Sequence, residues 1–268
     1  MAPGHAESKS LCQKWNNMAH YDSYDYTSYW EGRDYEHESE VIAIREFLNK
    51  IPKIEKALEI GGGYGRLVPY YIYRTKQTIL TEPSIKLLSI AKKRLDKFKN
   101  LKFQQSGIEN LTTKFKASSF DLVVMIRVMH HMKDAKLVFE TISKLLAPDG
   151  YVIFEFANKI HFKKLINNIL KGDFKFLNNS ETIDVRSEKS KKNKTIPFLN
   201  YHPNLIKEEL KNHNLEIVEM RSVSNIRNPF FKKHMPKNVL LEFEKITQKP
   251  LSSIFFGPSI FILARKKG

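Results

Sequence analysis

Cysteine is nearly absent from this sequence: Cys12 is the only one among 268 residues. No intrachain disulfide can form, and neither a four-cysteine zinc site nor a Cys-x-x-Cys redox pair can be assembled, which suits a reducing compartment. Acidic residues are also scarce, with 29 Asp plus Glu against 45 Lys plus Arg, a net charge of +16 and a pI near 9.6. Such a balance suits a polyanionic partner, nucleic acid or an anionic membrane surface. Most of the cations are Lys, however, and Asn and Ile are frequent, a bias that an AT-rich genome produces without selection for binding. Long apolar runs are missing too. The longest, Ile254 to Ala264, contains Gly257 and Pro258 and is too short for a membrane span. Met1 to Ser10 holds no apolar stretch of the kind a secretory leader needs. The chain reads as cytoplasmic, with no membrane span.

What is present suffices for one large domain: 41% of residues are hydrophobic and 12% aromatic, so a substantial core can be buried. An aromatic stretch (Tyr21, Tyr24, Tyr26, Tyr29, Trp30, Tyr35) precedes a helix expected over Glu38 to Asn49, where Val41, Ile44, Phe47 and Leu48 recur at helical spacing. Strands are expected at Lys56–Ile60, Thr78–Thr81, Leu101–Gln105, Phe120–Ile126 and Tyr151–Phe156. Helices are expected at Arg66–Arg74, with Pro69 near its start, at Ile85–Lys97 after a Ser84 cap, and from an Asp134 cap to Leu146. Strands that alternate with helices imply right-handed crossovers, hence an α/β, doubly wound, mostly parallel sheet with ligands bound at the carboxyl ends of its strands. Residues 160–200 interrupt the rhythm with Lys163, Lys164, Lys171, Lys175, Lys189, Lys191, Lys192 and Lys194. This reads as an insertion after the fifth strand, helical at Phe162–Leu170 and mobile at Ser187–Lys194. A helix at Asn204–His213 and strands at Leu215–Val223 and Ser259–Arg265 close the chain. The division expected is residues 1–50 as tail and cap helices and 51–268 as the main domain.

The most informative stretch is Glu59-Ile60-Gly61-Gly62-Gly63-Tyr64-Gly65. It departs from the dinucleotide fingerprint, which would need glycine at Arg66, and from the P-loop, which needs Gly-Lys-Ser/Thr. Glycines at 61, 63 and 65 let the backbone turn sharply and approach a ligand closely. Glu82 ends the next strand, where a carboxylate can accept both hydroxyls of a ribose. Glu59 beside the loop suits a cationic ligand portion better than a diphosphate.

In these motifs the chain resembles the class I S-adenosylmethionine-dependent methyltransferases, in particular the group with a His-His loop. The matching residues are Leu58–Gly65, Leu80-Thr81-Glu82-Pro83-Ser84, Ser119–Val124 continuing through Arg127-Val128-Met129-His130-His131, and Leu145–Tyr151. The resemblance covers residues 55 to 157 and implies a seven-stranded Rossmann-like methyltransferase fold with S-adenosyl-L-methionine as cofactor. It implies that Glu59 contacts the cofactor's amino group, that Gly61, Gly63 and Gly65 pass beneath its methionine part, and that Glu82 holds the ribose. Ile108 takes the position whose amide meets adenine; the acidic residue often found just before it is here Gly107. Arg127 touches the cofactor through its backbone, and Arg33 is a candidate partner for the methionine carboxylate. Tyr26 and Tyr29 are candidates for the acceptor side, where they can close the pocket or meet the sulfonium by cation–π attraction.

Methyl transfer from a sulfonium needs orientation, desolvation and sometimes a base. His130 and His131 are the candidate catalytic residues, since a histidine at the end of the fourth strand titrates near working pH. Adjacent in sequence, they are expected to point in different directions, and a purely structural role in ordering the loop stays open. No metal site is expected. The leading reading is methyl transfer to a small-molecule acceptor by attack of its oxygen, nitrogen or carbon, with residues 1–50 and the insertion forming a lid. The alternatives are an RNA or tRNA methyltransferase using the basic insertion, and an inactive cofactor-binding partner subunit. The lysine clustering is read first as a solvated insertion.

Overall fold

The computed structural model describes residues 28–193 and 195–268. Tyr21, Tyr24 and Tyr26 lie outside them. The elements are α1 (Asp34–Leu48), β1 (Ile54–Ile60), β2 (Thr75–Glu82), α2 (Ile85–Arg94), β3 (Leu101–Gln105), α3 (Leu111–Lys114), β4 (Phe120–Met125), α4 (Ala135–Leu145) and β5 (Leu146–Ala157). After these come α5 (Phe162–Leu170), α6 (Lys175–Asn178), β6 (Ile183–Asp184), α7 (Glu188–Lys192), β7 (Leu199–Asn200), α8 (Pro203–Asn212), β8 (Leu215–Val223), α9 (Pro229–His234), α10 (Lys237–Ser252) and β9 (Ser259–Lys266). The main sheet has seven strands in the order β3-β2-β1-β4-β5-β9-β8. The five from β3 to β5 run parallel, and β9 pairs antiparallel with both β5 and β8. This is the doubly wound, mostly parallel architecture that the alternation of elements implied.

Two apolar layers hold the sheet, and the period of two along each strand divides residues between them. Val123, Phe154 and Phe156 face the layer that receives Val138, Phe139 and Ile142 of α4 and Ile206 of α8. Leu122, Val124 and Ile153 face the opposite layer, with Ile44 and Phe47 of α1 and Leu88 of α2. Both faces of β4 are therefore buried, which explains the apolar run Leu122–Met125 after Asp121. Order reverses between β1 and β4, so the loops after Ile60 and Met125 leave the sheet side by side.

Three local expectations change. Arg66–Arg74 is not an α-helix; it forms two 3₁₀ turns, Val68–Tyr70 and Ile72–Arg74, because Pro69 has no N–H and disfavours α geometry at Val68. The strand expected at Tyr151–Phe156 starts earlier, at Leu146; within it Asp149 takes φ +62° and the register with β4 shifts between Phe120 and Leu122. Within the insertion, Glu188–Lys192 is helical, with Ser187 Oγ accepting from Ser190 N–H at 3.2 Å. Helices α9 and α10 had no counterpart in the sequence reading. The Ser84 and Asp134 caps form as expected, accepting from the N–H groups of Leu87 and Leu137. Asp134→Ala should lower the unfolding free energy by about 1 kcal/mol. An unchanged urea midpoint would show that this 3.0 Å bond contributes nothing.

Candidate active site

The loops after β1, β2, β3 and β4 surround a cavity of about 460 Å³. Its floor is the glycine loop. Gly61, Gly63 and Gly65 have φ of +65°, +56° and +73°, the left-handed region that L side chains avoid. Steric room sets a second requirement: a Cβ on Gly61 would stand 2.6 Å from Val128 Cγ2, and one on Gly65 2.3 Å from Leu95 Cδ1. A Cβ on Gly63 would meet nothing within 4 Å among the described residues, and Gly63 lines the cavity.

Two carboxylates bracket this floor. Glu82 is buried and held by backbone: Gly63 N–H donates to one oxygen and Ser84 N–H to the other, each at 2.9 Å. Glu59 is buried at the end of β1, and Tyr71 O–H donates to it at 2.7 Å. Burial pushes the Glu59 carboxyl up to about 7, against the opposing pull of the Tyr71 bond and Arg66. An acid poised there ionises readily when a cation arrives beside it.

A third buried acid went unnoticed in the sequence. Glu40 of α1 is fully buried, with one oxygen paired to Arg66 and the other to Arg127 at 2.6–2.7 Å. Burial raises its pKa, but the two guanidinium groups more than reverse that and leave it below the ordinary carboxylate value. The Trp30 ring lies 3.4 Å from the Arg66 guanidinium and 5.7 Å from that of Arg127. Trp30, Arg66 and Arg127 all line the cavity. Arg127 has φ +62°, and its N–H donates to buried Glu155 at 3.1 Å. A signal for Glu40 existed: it is in helical register with Ile44 and Phe47, on the apolar face of α1.

Other expected residues divide. Ile108 lines the cavity. At Gly107, a Cβ would fall 2.5 Å from the Glu109 carboxylate, so the acid missing at 107 is supplied to the same space from 109, which also lines the cavity. Arg33 and Tyr29 do not line it; the Arg33 guanidinium lies 4.2 Å over the Tyr29 ring, and Tyr29 packs edge-on against Trp30. Tyr26 is outside the described residues.

His130 and His131 do not point apart as adjacency implied: their ring centroids lie 3.9 Å apart, and of the two only His131 lines the cavity. His131 lines the cavity, and its Nδ1–H donates to Pro197 O at 2.8 Å, leaving Nε2 in acceptor form. His130 is buried against Phe198, with ring centroids 4.4 Å apart, and its Nδ1 has no hydrogen-bond partner among the described residues. Neither titrates near working pH as expected: burial depresses His131 to about 4 despite the Pro197 bond, and His130 well below the usual value, where His131 and Arg127 add to the effect. Pro197, Phe198 and the lining residue Ile196 bring the end of the insertion against this loop.

A histidine whose folded pKa lies below its unfolded one stabilises the fold fully above the unfolded value, and that stability is lost as pH falls toward the folded value. The urea midpoint should thus fall as pH is lowered from about 6.5 toward 4. In His130→Phe the fall should be shallower, because one buried, unpartnered titrating group is gone. Equal slopes for the two proteins would contradict the burial of a neutral His130.

Comparison with known proteins agrees with this geometry. Residues 58–154 match the family described as "Methyltransferase domain". A probable polyketide synthase 13 of Dictyostelium discoideum is 27% identical over 222 residues, which is 76% of this chain and 8% of that protein. The chain therefore spans under a tenth of that relative's length. Among solved structures, an S-adenosylmethionine-dependent methyltransferase of Leishmania major superimposes with a TM-score of 0.63 at 16% identity, covering 94% of this chain and 82% of that one. A putative methyltransferase of Haloferax volcanii, solved in complex with the Trm112 activator, gives 0.61 at 13% identity, with 94% and 98% covered. The likeness to these structures is one of fold. The oriented carboxylate of Glu82, the poised Glu59 and the open face at Gly63 fit a ligand with a ribose and a cationic amino-acid part. Over residues 58–154 the chain matches a methyltransferase domain, and its fold is that of known S-adenosylmethionine-dependent methyltransferases.

Proposed function

We propose that this protein methylates a small-molecule acceptor on oxygen, nitrogen or carbon, with His131 as the base that receives the acceptor's proton. The observation that carries this reading is the placement of His131, in acceptor form, in the wall of the cavity that Glu59 and Glu82 also line. When bound, S-adenosylmethionine supplies an electrophilic methyl group on sulfonium. In this reading Glu82 accepts from the ribose hydroxyls, and Glu59 ionises against the amino group. Gly61 and Gly63 supply the close floor, Gly65 turns the loop against Leu95, and the Ile108 amide and Glu109 meet the adenine ring. Arg66 and Arg127 replace Arg33 as the cations nearest the carboxylate end, because both face the cavity while Arg33 is stacked on Tyr29. Their side chains need Glu40 between them to stay fixed. His130 has a packing role.

The relative's work in polyketide assembly supports a small acceptor over RNA. The proposed organisation keeps residues 1–50 as a cap and 160–200 as a lid, which contributes Ile196 to the wall, in a cytoplasmic enzyme.

Titration calorimetry with S-adenosylmethionine should give binding that Glu82→Ala weakens on the order of 10²-fold, the scale of two charge-assisted hydrogen bonds. Unchanged binding would remove Glu82 from the ribose site. With methyl-labelled cofactor and a panel of hydroxyl, amine and carbon-acid acceptors, His131→Ala should lower turnover by about 10²-fold or more while cofactor affinity holds. Full turnover in that variant would leave positioning alone as the protein's contribution. Transfer of label to RNA, with affinity falling steeply in salt, would overturn the small-molecule reading.

A further inference from the structure

Helix α5 places Phe162, Leu165, Ile166, Ile169 and Leu170 at i, i+3, i+4, i+7 and i+8, a single apolar stripe. In a globular protein such a stripe is buried. Here none of it is: Phe162 is 46% exposed, Ile166 38%, Ile169 40% and Leu170 80%. Helix α10 is inverted in the same sense. Its inward face is Leu240, Glu244, Gln248 and Ser252, while Val239, Phe243 and Ile246 point outward at 45%, 51% and 72% exposure. The inward polar groups are engaged: Glu244 accepts from the N–H groups of Ser224 and Asn225, and Gln248 donates to Ser39 O. The two helices meet at one end. Phe162 stacks on Phe256 with centroids 4.8 Å apart, its N–H donates to Phe256 O, and exposed Ile254 lies between Phe256 and the end of α10.

The charges beside these stripes have one dominant sign. Lys163, Lys164, Lys171 and Lys175 flank the α5 stripe, with Asp173 the one acid between residues 161 and 175. Lys237, Lys245 and Lys249 flank the α10 stripe against exposed Glu242. A second copy of the chain would bring the same lysines face to face. RNA would pair with the lysines yet leave the Phe, Ile and Leu side chains in water. Neither helix is long and apolar enough to cross a membrane, but an amphipathic helix with lysines beside its apolar face lies flat in the interface of a bilayer.

We propose that α5, together with Ile254 and the outward stripe of α10, seats on the surface of an anionic lipid bilayer, with its lysines at the level of the lipid phosphates. The α5 part of this face belongs to the same insertion, residues 160–200, that brings Ile196 and Pro197 to the cavity. This holds whether or not His131 is a base.

Co-sedimentation of the full chain with phosphatidylcholine vesicles, with and without phosphatidylserine, tests the proposal. Binding is expected with the anionic vesicles, reduced by salt. Ile166→Glu with Leu170→Glu, and separately Lys163→Glu with Lys164→Glu, should each weaken it more than about tenfold. Cofactor affinity and melting temperature should hold, since these side chains are exposed. Lys92→Glu with Lys93→Glu, the same charge change on exposed positions of α2, should weaken it far less. No binding to anionic vesicles overturns the proposal. So does equal weakening by the α2 pair, which would make net charge the cause, or a dimer that Ile166→Glu with Leu170→Glu dissolves while vesicle binding stays absent.

Discussion

A single buried carboxylate, Glu40, ties together three parts of the chain that are far apart in sequence. An isolated ion in that position would cost several kcal/mol of desolvation, and the cost is tolerated only because both oxygens are paired. One partner, Arg66, follows the glycine loop; the other, Arg127, follows β4; the acid itself comes from α1. None of the three can move without leaving a charge uncompensated. The shape of the cavity therefore depends on a helix that contributes no carboxylate to its lining, and the Trp30 ring over both guanidinium groups extends that dependence to the residues before α1.

Arg127 is held a second time, by its backbone. Its left-handed φ turns the N–H toward Glu155, which also accepts from Ser259 O–H on β9. Side chain and main chain are thus fixed by separate buried acids, one on each side. The chain leaving Arg127 has little freedom, and the 3₁₀ turn Met129–His131 follows directly. Because that turn is rigid, the division between the two histidines is set by geometry: one ring meets Phe198 in the packing and the other reaches the cavity.

The parts legible in the sequence were those whose signal is local. Glycines at 61, 63 and 65 need only backbone conformation and close space to be informative, and both are found. The caps at Ser84 and Asp134 and the alternation of strands and helices are of the same kind. Failures arose where a distant partner decides. Arg66–Arg74 has helical periodicity, yet Pro69 breaks it and the resulting turns send Tyr71 inward to Glu59. Arg33 was chosen by its place in the N-terminal segment, whereas Arg66 and Arg127 acquire their place only through Glu40. Helix α10 escaped notice because its apolar residues face outward and its inward face is polar, so the pattern runs contrary to the rule used to find it. Glu109 lies two residues from Gly107, the position expected to carry its charge, a shift that only the fold of the 108–110 turn corrects.

The charge of the chain and the charge of its site have opposite signs. Against a net +16, the cavity is lined by Glu59, Glu82 and Glu109, with Glu40 and Glu155 behind it on Arg66 and Arg127, the opposing cations. The surface lysines act through water and salt, where interactions fade over about 8 Å at physiological ionic strength. The buried acids act at contact, where the screening is weak. A cationic ligand therefore experiences the local acids far more than the exterior. Burial, with Glu82 nearby, raises the Glu59 carboxyl to about 7, and a cation beside it favours the ionised form. A basic protein can in this way keep a site that favours a cationic ligand, since what decides is the count and burial of acids around the glycine loop and not the sum over the chain.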